Sequence, residues 1–204
     1  MKDSEIAYEK IKQKIITTEL MPGEIISESN LMKELDMGRT PIREALNKLS
    51  FEEQVRIIPR QCILVTEQPN RDLDAIFQMR YTISELEGEL AASRRSVDDI
   101  QILRDIVKNL KTEENSGKRV MLDRDFHRQI SKMTKNPFLE KEMNILLDLS
   151  IRLIFLNQDD VDNLDTHLVD AHEKIINSIE AKDKENTIKL LQQHVVEFRN
   201  KFMR

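Results

Sequence analysis

The residues of this chain best suited to chemistry are three histidines and one aspartate. Asp123 and His127 stand four apart, so a helix puts them on one face. Phe126 and Ile130 mark the neighbouring apolar stripe, which sets that face against a core. His172 and His194 lie 22 residues apart on what read as the last two helices. A short loop near Asp183 would run those helices antiparallel and bring the two rings to similar heights. One carboxylate oxygen and three imidazole nitrogens suit a borderline divalent ion such as Zn²⁺, Ni²⁺, Co²⁺ or Mn²⁺. The same four residues could equally be ordinary helical groups with hydrogen-bond partners, and spacing alone leaves both readings open. His167 is five residues from His172, points elsewhere and reads as surface.

A second set lies near the N-terminus. Ile42, Ala45, Leu46 and Leu49 fall at i, i+3, i+4 and i+7, one apolar stripe of a helix. Arg39 and Arg43 are four apart and share another face. A short helix with an apolar back and two arginines at its N-terminal end suits a DNA major groove, where guanidinium forks read guanine edges or clamp phosphates. An arginine pair on a helix is also a common solvated surface.

The elements that must position these groups follow from pattern. The chain has 204 residues, 34% charged and 39% hydrophobic, with 4 Gly, 5 Pro and no Trp, a helix-favouring mixture. No apolar run approaches the roughly 18 residues of a membrane span, and Met1 to Ile6 lacks the apolar core of a signal peptide. The single cysteine, Cys62, excludes an internal disulfide and fits a reducing compartment. A cytoplasmic location is therefore expected. Net charge is −5, unlike a non-specific nucleic-acid coat. From Met37 to Cys62, however, five basic residues (Arg39, Arg43, Lys48, Arg56 and Arg60) face Glu44, Glu52 and Glu53, a local balance of +2.

Residues 6–18 read as a first helix, broken by Met21-Pro22-Gly23. Ser27 caps a second, Glu28 to Leu35. Asp36-Met37-Gly38 turns into the arginine helix, which runs to about Phe51, with Thr40-Pro41 or Gly38 as competing starts. Val55 to Ile58 and Ile63 to Val65 are β-branched runs separated by Pro59 to Cys62, a two-stranded hairpin. This order is a winged helix-turn-helix over residues 1–66. A polar, proline-containing linker follows at 67–70. Six helical segments are expected beyond it, about 71–94, 97–112, 118–134, 137–156, 164–181 and 184–202. Thr112 to Gly117 and Asn157 to Asp160 are polar breaks. The fold class is mainly α: three helices plus a hairpin wing, then an antiparallel six-helix bundle over 71–204.

These motifs together resemble a GntR-family transcriptional regulator of the FadR-like branch, with a C-terminal FCD ligand-sensing domain, over essentially the whole chain. The N-terminal match is Leu20-Met21-Pro22-Gly23, Leu31 to Leu35, and Arg39 to Leu49. The C-terminal match is Asp123 to His127, Asn136-Pro137, Ala171-His172-Glu173, Lys182-Asp183 and His194. Six C-terminal helices rather than seven resemble the VanR-type subgroup. Three positions depart from the pattern. Gly38 replaces a serine, Cys62 falls where the wing tip carries glycine, which puts a positive-φ turn in doubt there, and Ala171 replaces an acidic residue beside the metal histidine.

The resemblance implies a homodimer on a pseudo-palindromic operator, acting as a repressor, with one wing domain on each half-site. Arg39 and Arg43 are assigned to base edges or phosphates and Thr40 to a phosphate. Asn47 and Lys48 are weaker candidates for groove and backbone, and Arg60 and Gln61 are wing-tip candidates for the minor groove, with a plain solvated surface as the alternative. It places Asp123, His127, His172 and His194 as ligands of a divalent metal with open positions for a small carboxylate effector. Arg80, at a position where the family carries an inward arginine, pairs with that carboxylate; Arg152, among Leu149, Leu153 and Ile154, is the second choice. For both arginines a surface salt bridge is the alternative. Two rival functions remain, a metal-dependent hydrolase and a regulator whose metal is purely structural. No paired general base stands beside the ligands, so the expectation is not an enzyme.

Overall fold

The computed structural model describes residues 2–67, 70–156 and 167–202, without the side chains of 70–72, 167 and 202. The chain divides into two compact units, Met1–Pro69 and Asn70–Arg204.

The first unit holds helices α1 (Asp3–Ile16), α2 (Glu28–Leu35) and α3 (Arg39–Phe51) and strands β1 (Ile25–Ile26), β2 (Val55–Ile58) and β3 (Cys62–Val65). Ser27 caps α2 by accepting from the Asn30 amide at 3.3 Å. The helix ends where Asp36 enters the left-handed region at φ 51°. The apolar faces converge on one core of Ala7, Ile11, Ile15, Leu31, Ile42, Ala45, Leu46, Leu49, Val55 and Val65. Ile42 and Leu49 are fully buried, each contributing about 1.5–3 kcal/mol of transfer free energy. This packing turns the opposite face of α3, with Arg39, Thr40, Arg43, Asn47 and Lys48, to solvent.

Three details depart from expectation. The sheet has three strands, in the order β1-β3-β2, all antiparallel, with Ile25 opposite Leu64 and Ile58 opposite Cys62. A two-residue strand has no periodicity to read, so β1 was invisible in the sequence. Of the two competing starts of α3, the helix takes Gly38, in extended conformation, so Thr40 and Pro41 are already helical and this start is not a departure. The positive φ of the wing turn falls on Arg60, at 63°, and not on Cys62, which pairs inside β3. The expected first helix also shifts: it ends at Ile16, and Thr18 turns the chain at φ 57°.

The second unit holds α4 (Asn70–Arg94), α5 (Val97–Thr112), α6 (Ser116–Met133), α7 (Pro137–Phe155), α8 (His167–Glu180) and α9 (Lys184–Phe202) among the described residues. The expected break at 157–160 and the start of the fifth segment at 164–166 lie outside them. Caps mark the starts. Ser96 and Asp99 form a reciprocal capping box on α5, Asn115 caps α6, and Asn136 caps α7 ahead of Pro137. One core joins Ala91, Leu103, Leu110, Phe126, Ile130, Ile176, Ile179 and Leu191 from α4, α5, α6, α8 and α9. Gly88 is the close-approach point of the bundle. A Cβ there would meet the Ile188 backbone at 3.0 Å, so glycine lets α9 lie directly on α4.

Candidate metal centre and DNA-reading helix

Helix packing brings the four proposed ligands together. Asp123 and His127 come from α6, His172 from α8 and His194 from α9, and one ligand atom of each lies within 4.8 Å of all the others. Individual separations are 3.0 Å between the Nε2 atoms of His127 and His194, 3.1 Å from His172 Nε2 to Asp123 Oδ1, and 3.7 Å from His127 Nε2 to the same oxygen. An ion bonded at about 2.0–2.2 Å holds adjacent ligand atoms roughly 3.0–3.5 Å apart. All four residues are buried, His172 completely. The Phe126 ring stacks on His172 with centroids 3.9 Å apart and fixes its plane.

His127 and His194 share a hydrogen bond, as in an ordinary buried cluster, but the other two residues are less well satisfied. Asp123 Oδ1 and His172 Nε2 are at hydrogen-bonding distance but not aligned for a hydrogen bond, and both lack any aligned partner among the described residues. Buried polar atoms are rarely left so. Donor set, spacing and orphaned atoms all fit a divalent ion. Burial would raise Asp123, but His172, His127 and His194 outweigh it and hold the carboxyl well below the usual range. Burial holds His127 well below its ordinary value, and lowers His194 to about 4 with help from His172. A carboxylate and neutral imidazoles are the forms that bind metal.

Beside the cluster is a small cavity of about 10 Å³, room for about one water, lined by Arg80, Ser84, Glu87 and His127 on its polar side and by residues such as Met143 and Leu191 on its apolar side. Arg80 is 3% exposed, and its Nε and Nη1 have no hydrogen-bond partner. Its guanidinium lies 5.5 Å from the Phe198 ring and 5.9 Å from that of Phe77. Burial lowers it to about 10, against the pull of Asp123 and Glu87, so it is charged at neutral pH. Arg152 is fully buried, unlike a surface salt bridge, and is not among the residues lining the cavity. The side chain of His167 lies outside the described set.

Sequence reasoning missed Glu87 and Ser131. Glu87 is buried and accepts a short hydrogen bond from Ser131 Oγ. Its signal was available: Arg80, Ser84 and Glu87 fall at i, i+4 and i+7, one face of α4.

In the first unit every proposed DNA contact is exposed: Arg39, Thr40, Arg43, Asn47, Lys48, Arg60 and Gln61. Arg43 Nε is held at 3.0 Å by Glu28 Oε1 of α2, which orients its fork without burying it. Lys48 Nζ sits 3.4 Å over the Tyr8 ring, a cation–π contact that a phosphate would have to compete with.

A winged helix-turn-helix with an arginine-bearing third helix, joined to a helical unit with a buried ligand cluster, defines a DNA-binding transcriptional regulator rather than an enzyme. Residues 4–65 match the family described as "Bacterial regulatory proteins, gntR family", and residues 75–197 match the FCD domain. The chain belongs to the GntR family, in the branch that carries an FCD domain. It is 25% identical over 193 residues to the uncharacterized HTH-type transcriptional regulator YdhC of Bacillus subtilis, spanning 93% of this chain and 84% of that one. It is 24% identical to the gluconate operon transcriptional repressor of the same organism, over 96% of this chain and 83% of the relative. Among solved structures, McbR/YncC of Escherichia coli superposes with a TM-score of 0.83 at 21% identity, covering 98% of each chain. A putative GntR regulator from Rhodococcus sp. RHA1 gives 0.80 at 16%, covering 98% and 97%. No described helix is long and apolar enough to cross a membrane.

Proposed function

We propose that this regulator is a homodimeric repressor whose operator affinity is set by a small carboxylate bound in the helical unit, against a divalent ion held by Asp123, His127, His172 and His194. The observation that carries the reading is the juxtaposition of that cluster with the buried guanidinium of Arg80, whose Nε and Nη1 have no hydrogen-bond partner. A bound ion supplies positive charge and open positions for a carboxylate oxygen. Arg80 supplies a rigid donor fork at the cavity, and buried unpaired donors favour a ligand that satisfies them. The gluconate operon repressor, a relative, is named for a sugar acid, the chemical class proposed here.

The cluster draws side chains from α6, α8 and α9, so a carboxylate seated between them bears on three helices. Regulation requires that it favour one spacing of the two wing domains over another, with residues 67–70 as the covalent link. Arg39 and Arg43 take base edges or adjacent phosphates, Thr40 a phosphate, Asn47 and Lys48 the groove and backbone, and Arg60 and Gln61 the minor groove.

Thermal melting against a panel of small carboxylates, with and without Zn²⁺, Ni²⁺ or Mn²⁺, tests this directly. A ligand at a hundredfold excess over its dissociation constant stabilises by about 2.7 kcal/mol. The expected result is a metal-dependent shift for one acid class. His172→Ala should abolish that shift and the effect of the acid on operator binding, while effector-free DNA binding persists. A shift with metal alone, and none with any acid, would mean a structural ion.

A further inference from the structure

Two basic side chains of α3 are held in different ways. Arg43 is held by a carboxylate, that of Glu28, which offsets part of its charge. Lys48 is held by a ring: its ammonium sits 3.4 Å from the centroid of Tyr8, on α1. An aromatic face attracts a cation without cancelling its charge. The ordinary partner of Lys48 would be Glu52, four residues on. That carboxylate is turned inward instead, accepting from Tyr8 Oη through both oxygens and from Lys12 Nζ at 2.8 Å. The same bonds fix the ring, and Tyr8 is 6% exposed. The ring occupies one side of the ammonium. A phosphate competes with it on that side, and the outer N–H groups stay open.

A free lysine loses rotamer freedom when it meets a phosphate, and that loss opposes binding. A lysine already held in one pose loses less. Resting on the assignment of Lys48 to the DNA backbone, we propose that Tyr8 is a positioning residue for DNA binding. It presets the Lys48 ammonium at the flank of α3 as a phosphate contact with its charge intact. A phosphate carries no sequence information, so the contribution of Tyr8 falls on affinity for any duplex.

The test is fluorescence anisotropy of the full-length protein across a salt series, on a duplex that the wild type selects from a random library and on a scrambled one. Lys48→Ala should weaken binding to both and lower the salt slope by about 0.9 per protomer, the loss of one phosphate contact. Tyr8→Phe and Tyr8→Leu both lose the hydroxyl, but only leucine loses the ring. Tyr8→Leu should bind both duplexes about 2- to 5-fold more weakly than Tyr8→Phe, the range for an exposed cation–π contact. Its salt slope should not change, because the charge remains. With Lys48→Ala in place, the two Tyr8 variants should bind alike. Equal affinity of Tyr8→Phe and Tyr8→Leu, or a difference that persists without Lys48, would overturn the role of Tyr8 and leave Lys48 on the backbone. If Lys48→Ala moves neither affinity nor slope, the backbone assignment fails instead. Should a Tyr8 variant not fold, nuclear magnetic resonance of the wild type decides. The Lys48 ε-methylene signal should keep its upfield ring-current shift on DNA, and loss of that shift on binding would overturn the proposal.

Discussion

Both units bury charge, and they do so in opposite ways. In the wing unit, Lys12 Nζ bonds Glu52 Oε2 at 2.8 Å and Tyr8 Oη at 2.7 Å, while Tyr8 Oη donates to Glu52 at 2.8 Å. Lys12, Glu52 and Tyr8 are each less than a tenth exposed and complete one another. In the helical unit Asp123, His172 and Arg80 are just as buried, yet each keeps atoms without an aligned partner. The wing unit also buries the Gln54 side-chain amide without a hydrogen-bond partner, but not within a His, Cys, Asp or Glu cluster at metal-ligand spacing among the described residues. A closed network ties α1 to the end of α3 and needs nothing further. An open one, with atoms gathered at metal-ligand spacing, has the unsatisfied groups that the proposed ion and effector would complete.

Breaking the closed network should have the largest effect on stability. Lys12→Met leaves the Glu52 carboxylate buried with only Tyr8 as donor, and removing one partner of a buried pair costs about 3–5 kcal/mol. Denaturant melts of the two proteins measure it. A loss under about 1 kcal/mol would mean that Glu52 escapes to solvent and the network is not closed.

The open network should instead betray itself through protons. Metal-free protein holds His194 at about 4 against an unfolded value near 6.5. Between those values the unfolded state binds more protons, so the histidine's effect is absent above about pH 6.5 and stability falls as pH drops towards 4. Glu87, pushed up by burial to about 7, works the other way over part of that window. The informative quantity is therefore wild type minus His194→Gln at each pH, in chelator. The substituted protein should gain on the order of 2–3 kcal/mol relative to wild type between pH 7.5 and pH 4. A pH-independent difference would mean that His194 is not buried in its neutral form.

How far this contrast was legible depends on which geometry each feature needs. Bringing the four proposed ligands together needed only the helical period, written in apolar spacing, and a short loop near Asp183 that runs the last two helices antiparallel. The inward seat of Arg80 came from resemblance, since an arginine on an amphipathic helix reads equally well as surface. Glu87 and Ser131 were missed because their meeting depends on the rotation of α4 against α6, which two separate periodicities do not determine. Strand β1 was missed because it is held by its partner and not by its own two residues. Cys62 put a positive-φ wing turn in doubt because the tip was placed by pattern, whereas the Ile58–Cys62 pairing puts Arg60 in the turn, and Arg60 takes the positive φ.

On the DNA-reading face, Arg39→Ala and Arg43→Ala should each weaken operator binding by about 1–3 kcal/mol and leave melting unchanged, because both side chains are exposed. Gel-shift titrations at fixed salt, on operator and on scrambled DNA, read the difference. Equal losses on both sequences would make these residues phosphate clamps and move base reading elsewhere on α3.

The smallest expected effect is at Gly38. A serine there meets no steric obstacle, since a Cβ would have nothing within 4 Å and the residue is already extended at φ −68° and ψ 169°. An N-cap hydroxyl normally accepts from the amide of the second or third helical residue. In α3 the third is Pro41, which has no amide hydrogen, so only Thr40 remains as donor. Gly38→Ser should therefore raise stability by no more than a few tenths of a kcal/mol, the usual difference between serine and glycine caps. Its effect on DNA is the sharper measurement. If the hydroxyl reaches a phosphate, operator and scrambled DNA should both bind more tightly and the salt dependence should stay the same, because a neutral donor displaces no counterion. If affinity does not move, the turn before α3 stands away from the backbone and the arginines alone carry its N-terminal end onto DNA.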